Sequence, residues 1–190
     1  MTSLYKLLPL ALAICISLSS CALTFTNNVD VETEIKAELE KNETETEAVK
    51  YAAPDFTVYG ADAEKVNLYD KIGKPIILNF WATWCPPCKS ELPAFDAAAK
   101  QYESEIEFMM INITDGERDT KELVDSFMAE NGYTFPVYYD YELDAAYTYS
   151  ASSIPLTVFI NADGSIFKAV SGAIPDQTLQ SYITAFIENN

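Results

Sequence analysis

The chain has 190 residues, 49% of them apolar, which is enough for one domain with a real core. It contains no histidine and carries a formal net charge of −17, which excludes histidine acid–base chemistry and the usual histidine-ligated metal sites. So acidic a chain is repelled by nucleic acid and by anionic lipid surfaces, so neither is expected as a partner, and the charge by itself serves solubility.

The first residues, MTSLYKLLPLALAICISLSSC, place one lysine ahead of an apolar stretch from Leu7 to Leu18. That stretch is short for a bilayer span and fits the hydrophobic region of a secretory signal. It ends in Leu18-Ser19-Ser20-Cys21, which resembles the lipobox of bacterial lipoproteins. The resemblance implies a signal peptide over residues 1–20, cleavage before Cys21 and a lipid on its sulfur. Removing Lys6 and no acidic residue would take the charge from −17 to −18. An ordinary cleaved signal, or an uncleaved anchor, is the alternative. Residues 21–50 follow, rich in Glu, Thr and Asn and without a sustained apolar face. They read as a solvated tether with a transient helix at most over Val31–Leu39, and a flexible chain of that length spans roughly 30 Å.

A folded domain is expected over residues 51–190. Edge strands are predicted near Phe56–Tyr59 and Val66–Leu68. The apolar run PIILNFWA after Lys74 then suits a strand buried on both faces. Pro86 and Pro87 sit at first-turn helix positions, where a missing N–H costs nothing. The helix they open runs to about Tyr102, with a kink expected at Pro93. A strand over Ile106–Ile113 and a helix over Asp119–Asn131 follow, the helix stopped by Gly132. A strand near Pro136–Tyr139 and a helical segment near Leu143–Tyr149 come next. Leu156–Ile160 and Ser165–Val170 form a hairpin around Asp163-Gly164. A last helix begins near Pro175-Asp176 and carries an apolar stripe of Leu179, Tyr182, Ile183, Phe186 and Ile187. This alternation implies an α/β fold, a central mixed sheet flanked by helices.

The chemistry concentrates at Cys85 and Cys88. Of four cysteines, Cys15 would leave with the signal and Cys21 would be acylated, so these two remain as thiols. Structural zinc draws about four ligands from Cys and His, and here there is neither histidine nor a second pair, so no metal is expected. Covalent haem needs His after the second cysteine, where Lys89 stands. A purely structural bridge would close a very small loop for little gain. Redox cycling fits better: Cys85 lies at a helix mouth, where free N–H groups and the macrodipole favour a thiolate. Cys88, one turn on, is placed to resolve a mixed disulfide. The cysteines themselves carry the electrons, so no dissociable cofactor is needed.

FWATWCPPCKSELP, together with GKPIILNFWATWC, TFPVYYD and SSIPLTVFINADG, resembles the thioredoxin superfamily, and more narrowly the exported TlpA/ResA-like thiol–disulfide oxidoreductases. The resemblance covers roughly Ala53 to the C-terminus and implies a thioredoxin-like sheet of about five strands flanked by helices. It makes Cys85 the nucleophile and Cys88 the resolving thiol. Trp84 would shape the exposed edge of the site, plain packing being its alternative. Pro155 matches the family's cis-proline, beside which the backbone of Ile154 could pair with a substrate strand. Glu91 matches an active-site glutamate that exchanges protons with the cysteines, the alternative being a solvated glutamate near Lys89. Asn79 stands where cytosolic thioredoxins carry a buried aspartate and cannot shuttle protons, which leaves Glu91, water, or both. Pro86 and Pro87 remove N–H donors that could stabilise a thiolate. Tyr138, Tyr139, Tyr141, Tyr147 and Tyr149 are read as packing residues rather than a ligand groove, Tyr149 matching a family packing position.

The reading is a monomeric thiol–disulfide oxidoreductase, lipid-anchored to the outer face of the cytoplasmic membrane. The resemblance implies protein disulfides as substrates, for example in apocytochrome c or an oxidised methionine sulfoxide reductase, and an integral-membrane thiol-transfer protein as electron donor. A disulfide-forming oxidant, a binding module with incidental redox activity and, more weakly, a peroxidase are the rivals.

Overall fold

Strand β3 (Ile76–Trp81) is the centre of the molecule, and all six of its residues are buried. In this computed structural model, which describes residues 52–190, β3 pairs in parallel with β4 (Glu107–Asn112) and antiparallel with β6 (Leu156–Ile160). Its side chains alternate between two cores. Ile76, Leu78 and Phe80 join Phe56, Leu68, Met109 and Ile111 on one face. Ile77 and Trp81 join Leu92, Phe95, Phe159 and Phe186 on the other. A period of two on a strand covered on both sides explains why the run is apolar throughout. Asn79 falls on the Ile77–Trp81 face by the same alternation, and is the one polar residue in the run.

Among the described residues four helices cover this sheet: α1 (Pro86–Gln101), α2 (Lys121–Asn131), α3 (Asp144–Thr148) and α4 (Asp176–Asn189). Cys85 caps α1, and the helix runs unbroken through Pro93. Thr120 caps α2, its hydroxyl accepting the N–H of Leu123, and Gly132 ends that helix at φ 67°, a left-handed conformation that suits glycine. The sequence pattern had set the start of this helix at Asp119. Asp119 is instead turned into the protein, which leaves Thr120 as the cap. Leu179, Ile183 and Phe186 of the expected stripe on α4 are buried, and Phe186 lies 5.4 Å from Phe159 of β6.

Among the described residues the sheet has seven strands, in the order β2 (Lys65–Asn67), β1 (Thr57–Tyr59), β5 (Val137–Tyr139), β4, β3, β6 and β7 (Ile166–Ser171), more than the five or so that the resemblance implied. The extra pair is the hairpin of β1 (Thr57–Tyr59) and β2 (Lys65–Asn67). It joins the edge of β5 (Val137–Tyr139) through Tyr59 opposite Tyr139. Leu68, expected to finish β2, begins a 3-10 turn instead and is buried. At the other edge β7 (Ile166–Ser171) returns antiparallel to β6. Gly164, at φ 84°, allows the turn between them, and the Asp163 carboxylate accepts the N–H of Ser165 at 2.9 Å. Tyr149 packs 5.6 Å from both Phe56 and Phe80. No helix among the described residues is long and apolar enough to cross a membrane. Residues 1–51, including the expected signal, Cys21 and the tether, lie outside the described residues.

Candidate functional site

β3 and β4 are parallel neighbours, so their C-terminal ends, and the loops that leave them, meet at one end of the strands. The turn after β3 carries Thr83, Trp84 and Cys85. The loop after β4 carries Asp115, Arg118 and Asp119. The strand start that bears Ile154 and Pro155 closes the third side.

Cys85 and Cys88 are joined as a disulfide, with Cα atoms 5.3 Å apart. Cys85 is the more accessible, at 3% exposure against 0% for Cys88. Because Cys85 is the cap residue, the start of α1 points at its sulfur. Pro86 and Pro87 have no N–H to offer, so the first available donor is the N–H of Cys88, 3.2 Å from Cys85 Sγ. The carbonyl oxygen of Ile154 stands 3.7 Å from the same sulfur. In the disulfide state that sulfur has no proton to give, so this is a packing contact. The Ile154–Pro155 bond is cis, and Pro155 is buried.

Glu91 is placed three residues after Cys88, on the face of α1 turned towards β3. It is 2% exposed, which overturns the alternative of a solvated glutamate beside Lys89. Its Oε1 accepts the side-chain N–H of Asn79 at 2.8 Å, and its Oε2 accepts the backbone N–H of Ile174 at 2.7 Å. Burial pushes the Glu91 carboxyl up to about 6, against the opposing pull of the hydrogen bonds from Ile174 and Asn79. The carboxyl can therefore gain and lose a proton near neutral pH, one helical turn from Cys88. Asn79 also donates to Thr157 Oγ1 at 3.1 Å, while its own Oδ1 is buried without a partner among the described residues. A groove of about 500 Å³, lined by Ser90, Pro93, Ala94 and Ile174 among others, reaches Glu91 from outside. Among the described residues no cluster of His, Cys, Asp and Glu is suited to hold a metal ion.

The loop over Trp84 is a part of the site that the sequence motifs do not mark. Trp84 is 37% exposed, and the Arg118 guanidinium lies 3.7 Å from its ring centroid. Asp119 is fully buried and accepts the N–H of Thr83 at 2.9 Å, the hydroxyl of Thr83, and the side-chain N–H of Asn112 at 2.9 Å. Asp119 thus fastens the β4 loop to the cysteine turn. A sequence signal was available, because loops leaving adjacent parallel strands meet at the same end of the sheet.

The match to the AhpC/TSA family spans residues 49–169. The thiol–disulfide oxidoreductase ResA of Bacillus subtilis (strain 168) is 34% identical over 132 residues, which cover 69% of this chain and 72% of that protein. ResA of Oceanobacillus iheyensis is 38% identical over 137 residues, covering 70% and 69% respectively. Among solved structures, the exposed lipoprotein thioredoxin Etrx1 of Streptococcus pneumoniae strain TIGR4 superposes with a TM-score of 0.60 at 25% identity, covering 70% of this chain and 99% of that one. The chain belongs to the AhpC/TSA family and, within the thioredoxin superfamily, to the ResA-like thiol–disulfide oxidoreductases.

Proposed function

We propose that this enzyme is an extracytoplasmic reductant of protein disulfides, held to the outer face of the cytoplasmic membrane by a lipid on Cys21. In the working cycle the Cys85 thiolate attacks a client disulfide. A Cys85–client bond forms, the client's own S–S bond breaks, and one client thiolate leaves. Cys88 then attacks Cys85 Sγ and expels the second client thiolate. The client gains two electrons, and the pair returns to the bridged state with both electrons spent. Glu91 accepts the proton that Cys88 gives up as it becomes a nucleophile, and passes it to water through the neighbouring groove. Trp84 and the Ile154 carbonyl frame the place where a client strand lies beside Cys85.

The observation that carries the direction of flow is the short supply of donors at Cys85. Only the Cys88 N–H reaches that sulfur within the first turn, because Pro86 and Pro87 have none. A weakly stabilised thiolate holds its proton more tightly and gives up its electrons more readily when the disulfide forms, which favours the reducing role. The names of the ResA relatives and of the pneumococcal exposed lipoprotein support the setting. Oxidised apocytochrome c and an oxidised methionine sulfoxide reductase are the client types this reading favours, with an integral-membrane thiol-transfer protein renewing the dithiol of a monomeric enzyme.

The test is the reduction potential of the full chain, measured by equilibration against thiol–disulfide buffers. A value of roughly −270 to −220 mV supports the reductase. A value near about −120 mV would make the disulfide form the working reagent and the protein an oxidant of its clients.

A further inference from the structure

Arg118 is the only arginine in the chain, and the exchange of thiols and disulfides gives it no task. It is nevertheless held in a defined place. Its guanidinium stacks on Trp84, the residue before Cys85, at 3.7 Å. Its Nε donates to Asp115 Oδ2 at 3.0 Å. Asp115 is itself fixed, its Oδ1 accepting the backbone N–H groups of Glu117, Arg118 and Asp119 at 3.0, 2.7 and 3.2 Å.

Tying the loop to the cysteine turn is already the work of Asp119, which holds Thr83 and Asn112 from a buried position. Arg118 stands on the solvent side of that tie, with 58% of its side chain exposed. Among the described residues its two terminal nitrogens have no hydrogen-bond partner. A guanidinium with its face on an indole and its Nε edge occupied offers those terminal N–H groups to an acceptor in a fixed orientation, with little rotamer entropy left to lose. The rest of the chain is strongly acidic, at −17 overall, so a negatively charged client segment is repelled by most of it. A fixed cation on Trp84, the residue before the nucleophile, gives such a segment one place to land.

We propose that Arg118, stacked on Trp84, is a specificity residue that receives a carboxylate of the client, an Asp or Glu side chain next to the client cysteine that bonds to Cys85. The proposal rests on Cys85 being the attacking sulfur. Arg118 exchanges neither electrons nor protons in the cycle and acts only on how the client strand is seated.

The experiment uses the reduced full chain and two synthetic peptides, each with one internal disulfide. One peptide has Glu beside each cysteine, and the other has Gln at the same positions. Second-order rates of exchange are read from tryptophan fluorescence for the wild type, Arg118→Gln and Arg118→Lys. The wild type is expected to react about fivefold faster with the Glu peptide, and added salt is expected to shrink that advantage. Arg118→Gln loses the advantage while keeping the wild-type rate on the Gln peptide and the wild-type reduction potential. Arg118→Lys retains only part of it, since an ammonium lacks the planar fork. Equal wild-type rates on the two peptides overturn the proposal. So does an Arg118→Gln variant that slows both peptides alike or shifts the potential, because that would make Arg118 a support of the turn. The Gln peptide reports exchange at Cys85 itself and the ratio of rates reports Arg118, so failure of either reading is seen separately.

Discussion

Replacing Glu91 by glutamine tests the carboxyl of the site that burial pushes up. Two neutral donors serve the carboxylate, the Ile174 N–H at 2.7 Å and the Asn79 amide at 2.8 Å, and no cation among the described residues pairs with it. Burial therefore prevails and holds the folded pKa at about 6, against an ordinary value of 4.5. A carboxyl whose folded pKa is raised binds its proton more tightly in the folded state. Its contribution is fully present below the unfolded pKa of 4.5 and is lost as pH rises through 6. Integrated over that window the loss is about 2 kcal/mol. Glutamine keeps the shape and cannot ionise. Its carbonyl oxygen can accept the Ile174 N–H, and its NH2 can donate to the Asn79 Oδ1 that now lacks a partner. The assay is urea unfolding of the full chain with the Cys85–Cys88 bridge intact, from pH 4 to pH 8, wild type against Glu91→Gln. The bridge keeps both cysteines from titrating, and subtracting the two curves removes every carboxyl that they share. The variant should match the wild type near pH 4 within the error of the extrapolation and exceed it by about 2 kcal/mol at pH 8. A difference that does not change between pH 4 and pH 8 would refute the argument, because a carboxyl paying no burial cost cannot be poised near neutrality.

Two structural predictions concern the frame around that carboxyl. Asp119→Ala deprives Thr83 of its acceptor and strands the buried amide of Asn112, which should cost about 2–4 kcal/mol in urea unfolding. Gly132→Ala meets no neighbouring atom but must hold φ near 67°, so it should cost about 1–2 kcal/mol, read the same way.

Much of this molecule is visible in local sequence. A period of two in the two cores around Ile76–Trp81, prolines at the first turn of α1 and a glycine at the end of α2 are each a response to nearest neighbours. The site is less local. Helical spacing puts Glu91 one turn beyond Cys88, yet it cannot say whether that face meets water. What covers it is the loop at Ile174, whose arrival depends on β6, β7 and α4 being packed. Asp119 reads as the start of a helix because acidic residues favour that position. It is drawn inward by three donors on two other segments, which no local pattern encodes. The β1–β2 hairpin was foreseen as edge strands but without its neighbour β5, since its attachment is the single pair Tyr59–Tyr139.

The long reach of these contacts bears on the order in which a growing polypeptide acquires its chemistry. The carbonyl that abuts Cys85 Sγ comes from a residue 69 positions later, and the N–H that holds Glu91 comes from one 83 positions later. A chain emerging N-terminus first displays both sulfurs long before the walls of their pocket have been synthesised. Until then Cys85 and Cys88 are ordinary thiols on an unfinished chain, with neither the Ile154 carbonyl packed against Cys85 nor a poised carboxyl nearby. The competence of the pair is thus timed by the last third of the chain, and a truncated product carries the motif without the reagent.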